Sequence, residues 1–259
     1  VIMKAKMLDG KVAIITGASY GMGCAMAELF AEEGARLVIT ARGQEKLDEE
    51  VKKIKDMGYP DVIGVVADNQ YTKDIQNVIK TATDTYGDLD IVLNNAGIGE
   101  QKSIEETEDE WMDFILKVNL EGPMKWIRES LKIFRPKNDG VIINVSSVNG
   151  QRPMCGASYT SSKGGLNTLT KNVAMLLNDT NIRVNAIAPG ATRTPAHLAN
   201  LEGKQEGGKS WEGHNDKYVY FPGPECECID QAWACLYLAS EMGRSVKGQV
   251  LQVCNAAFL

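Results

Sequence analysis

The fold of this chain is decided by one stretch of its sequence, Lys11-Val-Ala-Ile-Ile-Thr16-Gly17-Ala-Ser-Tyr-Gly21-Met-Gly23. The apolar run before Gly17 is typical of a buried strand, and the spaced glycines indicate a tight turn that opens a helix over residues 22–33. Such a turn lets the backbone approach a pyrophosphate, which the first amides of the helix and its dipole then bind. An ordinary loop with incidental glycines is the alternative, and the rest of the chain argues against it.

Six further apolar runs follow, separated by longer segments whose apolar residues have helical spacing. Strands that alternate with helices form βαβ units, whose crossovers produce a mostly parallel sheet covered on both faces. The sequence therefore predicts a single-domain, doubly wound α/β fold, Rossmann-like, with about seven strands over residues 1–259. The predicted strands are 12–16, 36–40, 62–67, 91–94, 141–146, 183–188 and 249–253.

A phenol and an ammonium lie one helical turn apart in Tyr159-Thr-Ser-Ser-Lys163. A free tyrosine has a pKa of about 10, so it is a poor acid or base at neutral pH unless a positive neighbour lowers that pKa. With Lys163 as that neighbour, the phenol could exchange a proton with a carbonyl or alcohol oxygen while a hydride moves at the carbon. Taken alone, the pair is equally typical of a solvated helix face.

Together the motifs resemble those of the short-chain dehydrogenase/reductase family, in the expected order and over almost the whole chain. The resemblance implies that Tyr159 is the catalytic acid or base and that Lys163 binds the nicotinamide ribose while lowering the tyrosine pKa. It also implies that Ser147 polarises the carbonyl and that Asn119 holds a water that links Lys163 to solvent. The matching pieces are Thr16 to Gly23, Asn94-Asn95-Ala96-Gly97, Asn119, Ser147, Tyr159 with Lys163, and Pro189-Gly190 followed by Thr194.

The position of the catalytic serine has two possible registers, because Ser146 and Ser147 are adjacent and the loop to Tyr159 is about one residue shorter than is usual in the family. Adjacent strand residues face opposite sides of a sheet, so only one of the two hydroxyls should point at the tyrosine. Aligning Ser147-Val-Asn-Gly150 with the family's serine-x-x-glycine turn selects Ser147, whereas counting back from the tyrosine selects Ser146. Ser147 is predicted.

The end of the second predicted strand bears on the choice of cofactor. A dinucleotide fold specific for NAD usually places an acidic residue here, against the ribose 2′-hydroxyl. The run Leu37-Val-Ile-Thr-Ala-Arg42 has no carboxylate, and the Arg42 guanidinium is suited to a 2′-phosphate. NADP(H) is therefore predicted over NAD(H), with Ser19, Tyr20 and Met22 of the glycine turn close to the same groups; a plain surface arginine is the alternative.

Further positions at the same edge match the dinucleotide contacts of the family. Asp68 closes the third predicted strand and, with Asn69, resembles the pair that contacts adenine. The resemblance implies that small residues after the fourth strand let the backbone pass the adenosine ribose, and that the segment after the sixth strand meets the carboxamide or pyrophosphate. These positions are Asn95, Ala96 and Gly97, then Pro189, Gly190 and Thr194, with Thr192 as a near competitor of Thr194.

Composition excludes several classes of protein. The net charge is −6 with dispersed acidic residues, so no basic stripe indicates nucleic acid or an anionic membrane surface. There is no apolar run of spanning length and no long apolar region near residue 1, so a cytosolic protein without membrane insertion is expected. The six cysteines lack the paired spacing of a zinc site, so reduced thiols and no metal are predicted.

Residues 196–227 differ from the rest of the chain, with glycines among charged and aromatic residues. A mobile substrate lid is predicted here, since glycines at its joints would allow closure over the active site. Aromatic side chains could roof an apolar substrate, or could tether the loop to the core, with Met154 and Cys155 on the opposite rim. Few cations lie nearby, which favours an apolar secondary alcohol or ketone, with a hydroxysteroid as the leading guess. The aromatic residues are Trp211, Tyr218, Tyr220 and Phe221, and the nearby cations are Arg152 and Arg193.

Other functions remain possible at this point. Sugars, polyols, acyl-carrier intermediates and xenobiotics are alternative substrates, because the family varies its substrate loop over a common scaffold. A non-catalytic dinucleotide-binding regulator and an epimerase or lyase are alternatives of another class, although the intact tetrad favours catalysis. The resemblance also implies a homotetramer or homodimer, with helices near 111–117 and 159–178 packed across a two-fold axis. The C-terminal strand, Gln249-Val-Leu-Gln-Val-Cys254, lacks the aspartate and glycines common in the family.

Overall fold

The computed structural model describes residues 6–201 and 224–257 of the chain. Its strands are β1 (Val12–Thr16), β2 (Arg36–Ala41), β3 (Val62–Val66), β4 (Ile91–Asn94), β5 (Gly140–Val145), β6 (Ile182–Pro189) and β7 (Val250–Val253). They form one sheet in the order β3-β2-β1-β4-β5-β6-β7, and every neighbouring pair is parallel. The predicted doubly wound architecture is confirmed, and the predicted strand ends lie within about one residue of those observed.

Helices cover both faces of this sheet. The core on one face contains side chains of α1, α2 and α8, and the core on the other contains side chains of α3, α5 and α6. In the described part of the chain the helices are α1 (Met22–Glu32), α2 (Gln44–Asp56), α3 (Thr72–Tyr86), α4 (Asp109–Leu116), α5 (Gly122–Lys137), α6 (Ala157–Leu176), α7 (Pro195–Leu201) and α8 (Cys228–Ala239).

The central strand β1 shows why the apolar run forms a strand buried on both sides. Ala13 and Ile15 pack into the core with α1, whereas Val12 and Ile14 pack into the core with α3. All of these side chains are fully buried. Because the side chains of a strand alternate between the two faces of the sheet, one continuous apolar run contributes side chains to both cores.

The order of the strands creates the crevice in which the candidate site lies. From β1 the chain proceeds through β2 to β3 on one side of the sheet and then crosses to β4 on the other side of β1. The loops that follow β1 and β4 therefore diverge at the carboxyl edge of the sheet. In open α/β sheets, ligands bind at such a switch point. Gly17 and Asn95 begin these two loops.

No helix in the described part of the chain is both long enough and apolar enough to cross a lipid bilayer. α6 is the longest of the described helices, at 20 residues, and it carries five buried polar side chains, Ser158, Ser162, Lys163, Asn167 and Thr170.

Candidate active site

Three elements bring the predicted tetrad together at the carboxyl edge of the sheet. Ser147 follows β5, Tyr159 and Lys163 lie in the first two turns of α6, and Asn119 lies in a π-helical segment, Lys117–Glu121, between α4 and α5. Each of these segments packs against α6 or the loop that precedes it. The site is thus built around the amino end of one helix.

Tyr159 and Lys163 share one face of α6, as their spacing predicts. The Lys163 Nζ lies 5.7 Å from the centre of the Tyr159 ring, a distance at which a cation is attracted to an aromatic ring. The same Nζ donates a hydrogen bond of 2.8 Å to the Val145 carbonyl at the end of β5. Lys163 is buried, so the bond to the strand holds an otherwise desolvated ammonium in place.

Burial dominates the pKa values of this pair. Burial raises the pKa of the Tyr159 phenol above its ordinary value, the neighbouring Cys155 thiol raises it further, and a hydrogen bond with Ser147 offsets only part of the change. Burial also lowers the pKa of Lys163 to about 8. The structure thus reverses the direction that the sequence predicts for the tyrosine pKa, because burial removes the hydration that stabilises a phenolate. A phenol that keeps its proton at neutral pH is suited to act as an acid.

The two adjacent serines face opposite ways. The Ser146 hydroxyl donates to the Lys163 carbonyl, in the backbone of α6, at 3.2 Å. The Ser147 hydroxyl is the one that reaches Tyr159, and it accepts hydrogen bonds from the Asn149 backbone N–H at 3.1 Å and from the Asn149 Nδ2 at 3.2 Å. The geometry therefore places Ser147, and not Ser146, beside the phenol.

Asn119 is engaged with the backbone of the loop after β4. Its Oδ1 accepts from the Ile98 N–H at 2.8 Å, and its Nδ2 donates to the Ile98 carbonyl at 2.9 Å and to the Ser162 hydroxyl at 3.2 Å. The side chain thus satisfies backbone groups of the loop after β4 and binds a hydroxyl of α6. The predicted water relay through Asn119 stays a prediction.

The glycine turn after β1 is packed too closely for side chains. Gly17 has φ of +67°, and a Cβ there would lie 2.8 Å from the Ala96 Cα. A Cβ at Gly23 would lie 2.2 Å from the Gly17 carbonyl oxygen. The turn leads into α1, whose amino end receives no hydrogen bond from the side chain of its capping residue, Gly21. Free amides at a helix start are suited to bind a pyrophosphate.

Asn95 ties this turn to the end of β4. Its Nδ2 donates to the Thr16 and Gly17 carbonyls at 3.0 and 3.1 Å, and the Thr16 hydroxyl accepts from the backbone N–H groups of Asn95 and Ala96 at 3.0 Å each. Asn95 therefore braces the glycine turn with its side chain. Its predicted contact with a ribose through the backbone, like that of Ala96 and Gly97, stays a prediction.

The adenosine side of the crevice contains Arg42, Asp68 and Asn69. Arg42 is exposed at the end of β2, with its guanidinium carbon 5.8 Å from the centre of the Phe114 ring. The Asp68 carboxylate accepts from the backbone N–H of Gln70 at 2.9 Å. Asn69 is buried, and its Oδ1 accepts from the Trp126 indole at 2.9 Å, whereas its Nδ2 has no partner among the described residues. Because this Nδ2 is inaccessible to solvent, the predicted contact of Asn69 with adenine stays a prediction.

The segment after β6 separates the two candidate threonines. Thr192 is buried, and its hydroxyl donates to the Gly190 carbonyl and accepts from the Gln231 amide. Thr194 lies over the glycine turn, with side-chain carbons 3.5 Å from where a Cβ of Gly21 would stand. Of the two, Thr194 is therefore the residue that faces the proposed pyrophosphate position. Ser19, Tyr20 and Met22, at the start of α1, are partly or largely exposed, and their contacts stay predictions.

A family model described as short chain dehydrogenase matches residues 11–205, a region that includes the glycine turn and the whole tetrad. The chain belongs to the short-chain dehydrogenase family. It is therefore an oxidoreductase of that family, and the expected membership is confirmed.

Curated relatives of this short-chain dehydrogenase match over nearly their full lengths. The NADP-dependent (R)-specific alcohol dehydrogenase of Lentilactobacillus kefiri is 38% identical over 93% of this chain and 94% of its own. The 3alpha-hydroxysteroid dehydrogenase of Mediterraneibacter gnavus is 35% identical over 97% and 98%. Among solved structures, 3-ketoacyl-(acyl-carrier-protein) reductase from Brucella melitensis, complexed with NADH, is 31% identical with a TM-score of 0.85 over 97% of this chain and 100% of its own.

The substrate side of this short-chain dehydrogenase is described only in part. Met154 is buried, and Cys155 accepts a hydrogen bond from the Gln101 amide at 3.6 Å. Of the predicted lid over residues 196–227, the structure describes only the flanks, where His197 contacts Glu225 at 2.7 Å. The predicted aromatic roof, Trp211, Tyr218, Tyr220 and Phe221, lies outside the described residues.

Metal-ligating side chains do not cluster in the described part of this short-chain dehydrogenase, where no group of three or more His, Cys, Asp or Glu residues could hold an ion. The cysteines are free thiols.

Two residues that hold the site, Asn149 and Glu100, were missed by the sequence reasoning. Their only sequence signal is a polar side chain in a loop next to a motif, which many surface residues share.

Proposed function

We propose that this chain is an NADP(H)-dependent oxidoreductase that interconverts a secondary alcohol and a ketone, with Tyr159 as the acid or base. One observation carries the proposal: the Ser147 hydroxyl and the Tyr159 phenol lie side by side at the carboxyl edge of the sheet, with Lys163 against the tyrosine ring. Two neighbouring hydroxyl donors are suited to bind one carbonyl oxygen.

Each residue has a distinct part in the proposed reaction. Ser147 donates a hydrogen bond to the substrate oxygen and polarises the carbonyl. Tyr159, whose raised pKa keeps it protonated at neutral pH, gives its proton to the same oxygen when a ketone is reduced. A bound nicotinamide would supply the hydride for the carbonyl carbon. Lys163 places positive charge beside the Tyr159 ring and would bind the ribose hydroxyls of the cofactor.

The residues present fit a nicotinamide dinucleotide with a 2′-phosphate. The turn at Gly17 and Gly21 would hold the pyrophosphate, the segment at Asp68 and Asn69 would contact the adenine, and the exposed Arg42 would bind the 2′-phosphate. A relative that is 38% identical is NADP-dependent by name. A more distant solved structure holds NADH, so the preference for NADP(H) depends on Arg42.

A hydroxysteroid or its ketone is the leading substrate proposal. The 3alpha-hydroxysteroid dehydrogenase that is 35% identical over 97% of this chain supports it, as does the apolar rim at Met154. A small apolar ketone is the second candidate, because the 38% identical relative is an alcohol dehydrogenase. Acyl-carrier intermediates, sugars and xenobiotics are lesser alternatives.

We also propose that the enzyme works in the cytoplasm as a homotetramer or homodimer. Exposed apolar side chains support an assembly: Ile229, Trp233 and Tyr237 recur every fourth residue along α8 and are 41%, 49% and 36% exposed. Met175 and Leu176, near the end of α6, are also exposed. Patches of this kind commonly mark contacts between protein chains.

Replacing Tyr159 with phenylalanine tests the proposed chemistry directly. The variant Tyr159→Phe removes only the phenol hydroxyl, so NADPH should bind as before while ketone reduction falls on the order of 10² to 10⁴-fold, the usual contribution of a positioned acid. NADPH consumption is followed by absorbance with a panel of steroid and small aliphatic ketones, and NADPH binding by fluorescence titration.

The control is Tyr59→Phe, which removes a partly exposed phenol just before β3, at the amino edge of the sheet and away from the tetrad, and should leave the reduction rate nearly unchanged. Substantial activity in Tyr159→Phe would overturn the assignment of the acid. If the wild-type protein binds NADPH but reduces no ketone in the panel, a regulator or an epimerase becomes the better proposal.

A further inference from the structure

Glu100 is a buried carboxylate that binds the helix carrying Tyr159. The residue is 1% exposed. Its Oε2 accepts a hydrogen bond from the Tyr159 backbone N–H at 2.9 Å, and its Oε1 accepts one from the Thr107 hydroxyl at 3.4 Å. Since Tyr159 is the third residue of α6, its amide has no partner within the helix. Glu100 therefore caps the catalytic helix from a distant loop.

The backbone beside Glu100 caps the same helix. The Gly156 N–H donates to the Glu100 carbonyl at 2.9 Å, and the Ala157 N–H donates to the Lys102 carbonyl at 3.2 Å. The residue that should cap α6 locally is Gly156, which has no side chain to do so. The loop at residues 100–102 thus supplies acceptors that the local sequence lacks, and a negative charge at this end of a helix is favoured by its dipole.

Gly156 is what makes the contact possible. A Cβ at this position would lie 2.7 Å from the Glu100 Oε2 and 2.8 Å from the Lys102 carbonyl oxygen. Any other residue would push the carboxylate or the loop away from the helix. The glycine is needed for close approach rather than for an unusual backbone angle, since its φ is −57°.

The loop that carries Glu100 is itself held by the tetrad. Asn119 binds both the N–H and the carbonyl of Ile98, at 2.8 and 2.9 Å. Its Nδ2 also donates to the Ser162 hydroxyl, which in turn donates to the Tyr159 carbonyl at 2.6 Å. Tyr159 is thus bound at its N–H by Glu100 and at its carbonyl by Ser162, and both partners are linked to Asn119.

We propose that Glu100 is a positioning residue for Tyr159, whose buried carboxylate fixes the first turn of α6 and thereby the place of the phenol over the substrate oxygen. The inference rests on the proposed role of Tyr159 as the acid. A displacement of about 1 Å in a reacting group can cost on the order of 10²-fold in rate. Loss of the carboxylate should therefore slow the chemistry without weakening cofactor binding.

The test compares Glu100→Ala, Glu100→Gln and Gly156→Ala with a matched control, Asp90→Asn. Asp90 is also a largely buried carboxylate that accepts a backbone N–H, from Val12 at 2.9 Å, but at the opposite edge of the sheet. Glu100→Gln keeps an acceptor oxygen for the Tyr159 amide. Gly156→Ala keeps the Glu100 carboxylate but displaces it from the helix. This variant therefore tests the same contact if Glu100→Ala does not fold.

Three quantities are measured: kcat, the NADPH dissociation constant and amide hydrogen exchange, of which the last two do not depend on enzyme activity. We expect kcat for ketone reduction to fall about 10- to 100-fold in Glu100→Ala and Gly156→Ala, largely to recover in Glu100→Gln, and to stay near the wild-type value in Asp90→Asn. The NADPH dissociation constant should change less than about twofold. By mass spectrometry, amide hydrogen exchange in a peptide spanning 157–163 should accelerate in the first two variants and not in the control.

Two outcomes would overturn the inference: an unchanged kcat in Glu100→Ala and Gly156→Ala, or unaltered exchange over 157–163 in both. Failure of the proposed function gives a different result. If Tyr159→Phe retains activity, the acid is misassigned whatever the Glu100 variants do. If Tyr159→Phe is inactive and the Glu100 variants are fully active, only the positioning role is lost.

Discussion

At the scale of single residues, Ser147 is oriented as a hydrogen-bond donor by Asn149. A hydroxyl has two acceptor lone pairs and one hydrogen. Both acceptor positions of Ser147 are occupied, by the backbone N–H and the Nδ2 of Asn149. The hydrogen is therefore left to point at the phenol or at a substrate carbonyl. The Asn149 Oδ1 is fixed in turn by the Met154 N–H at 3.0 Å.

The variant Asn149→Asp tests this orientation with almost no change of shape. A carboxylate oxygen in place of the Nδ2 would accept from the Ser147 hydroxyl and so draw its hydrogen away from the substrate. We expect kcat to fall on the order of 10- to 100-fold, in the range seen when one donor to a developing oxyanion is lost, with NADPH affinity retained. Steady-state kinetics and NADPH titration measure both quantities.

Ser146→Ala is the matched control for that substitution, since Ser146 bonds to the backbone of α6 and faces away from the phenol. Its kcat should stay within about threefold of wild type, because a neutral hydrogen bond contributes only about 1 kcal/mol. Equal losses in Ser146→Ala and Asn149→Asp would contradict the donor role of Ser147.

At the scale of elements, the turn from β2 into α2 is where we propose that the choice between NADPH and NADH is made. β2 ends at Ala41, and Arg42 follows with an exposed guanidinium that lies over the Phe114 ring of α4. α2 begins at Gln44. No carboxylate precedes α2 in this turn, so nothing there is suited to bind a free 2′-hydroxyl or to repel a 2′-phosphate.

Arg42→Ala should therefore weaken NADPH selectively. Loss of a charge-assisted hydrogen bond costs about 1.5–3 kcal/mol, so the kcat/KM for NADPH is expected to fall on the order of 10- to 100-fold while that for NADH changes little. Initial rates with both cofactors at one ionic strength measure the ratio. Lys46→Ala, which removes an exposed cation from α2, is the control, and equal effects on NADPH and NADH in Arg42→Ala would reject the 2′-phosphate assignment.

At the scale of the whole molecule, two buried cations are held by carbonyl groups rather than by carboxylates. Arg183, within β6, donates to carbonyls at the end of α8, including that of Ala239 at 3.0 Å. Lys163 donates to the Val145 carbonyl. These hydrogen bonds hold α8 against the sheet. Arg183 therefore has a structural role, although it is a charged residue inside a buried strand. Burial of the Lys163 ammonium lowers the stability of the folded protein, but it places a positive charge in the candidate active site.

Stability should therefore depend on pH through Lys163. Burial lowers its pKa to about 8 from an ordinary value of 10.5, so above pH 8 the unfolded chain binds more protons at this lysine than the folded chain does. By linkage, stability then rises with pH. At about 1.4 kcal/mol per pKa unit, the buried charge costs on the order of 3 kcal/mol below pH 8, and part of this cost disappears by pH 9.5.

Lys163→Met removes the titration and retains most of the volume. The wild type should gain free energy of unfolding relative to the variant as the pH rises from 7 to 9.5, by about 1–2 kcal/mol. Urea denaturation at several pH values measures the difference, and staying below pH 10 keeps the tyrosines neutral. A difference that does not vary with pH would show that Lys163 is not desolvated in the folded protein.

The amino-acid sequence was sufficient to predict the architecture and the family of this protein. The two-residue and 3.6-residue periods of apolar side chains are local, so the strands, the helices and the parallel pairing of the strands could be predicted from the pattern. The glycine turn and the Tyr159–Lys163 spacing are local as well. Three features could be seen only in the folded protein. The Ser147 hydroxyl faces the phenol, burial raises the pKa of Tyr159 where the sequence predicts a lower one, and Glu100 caps the helix that carries Tyr159. Glu100 and Tyr159 are 59 positions apart, and such contacts depend on how elements pack rather than on any pattern within them.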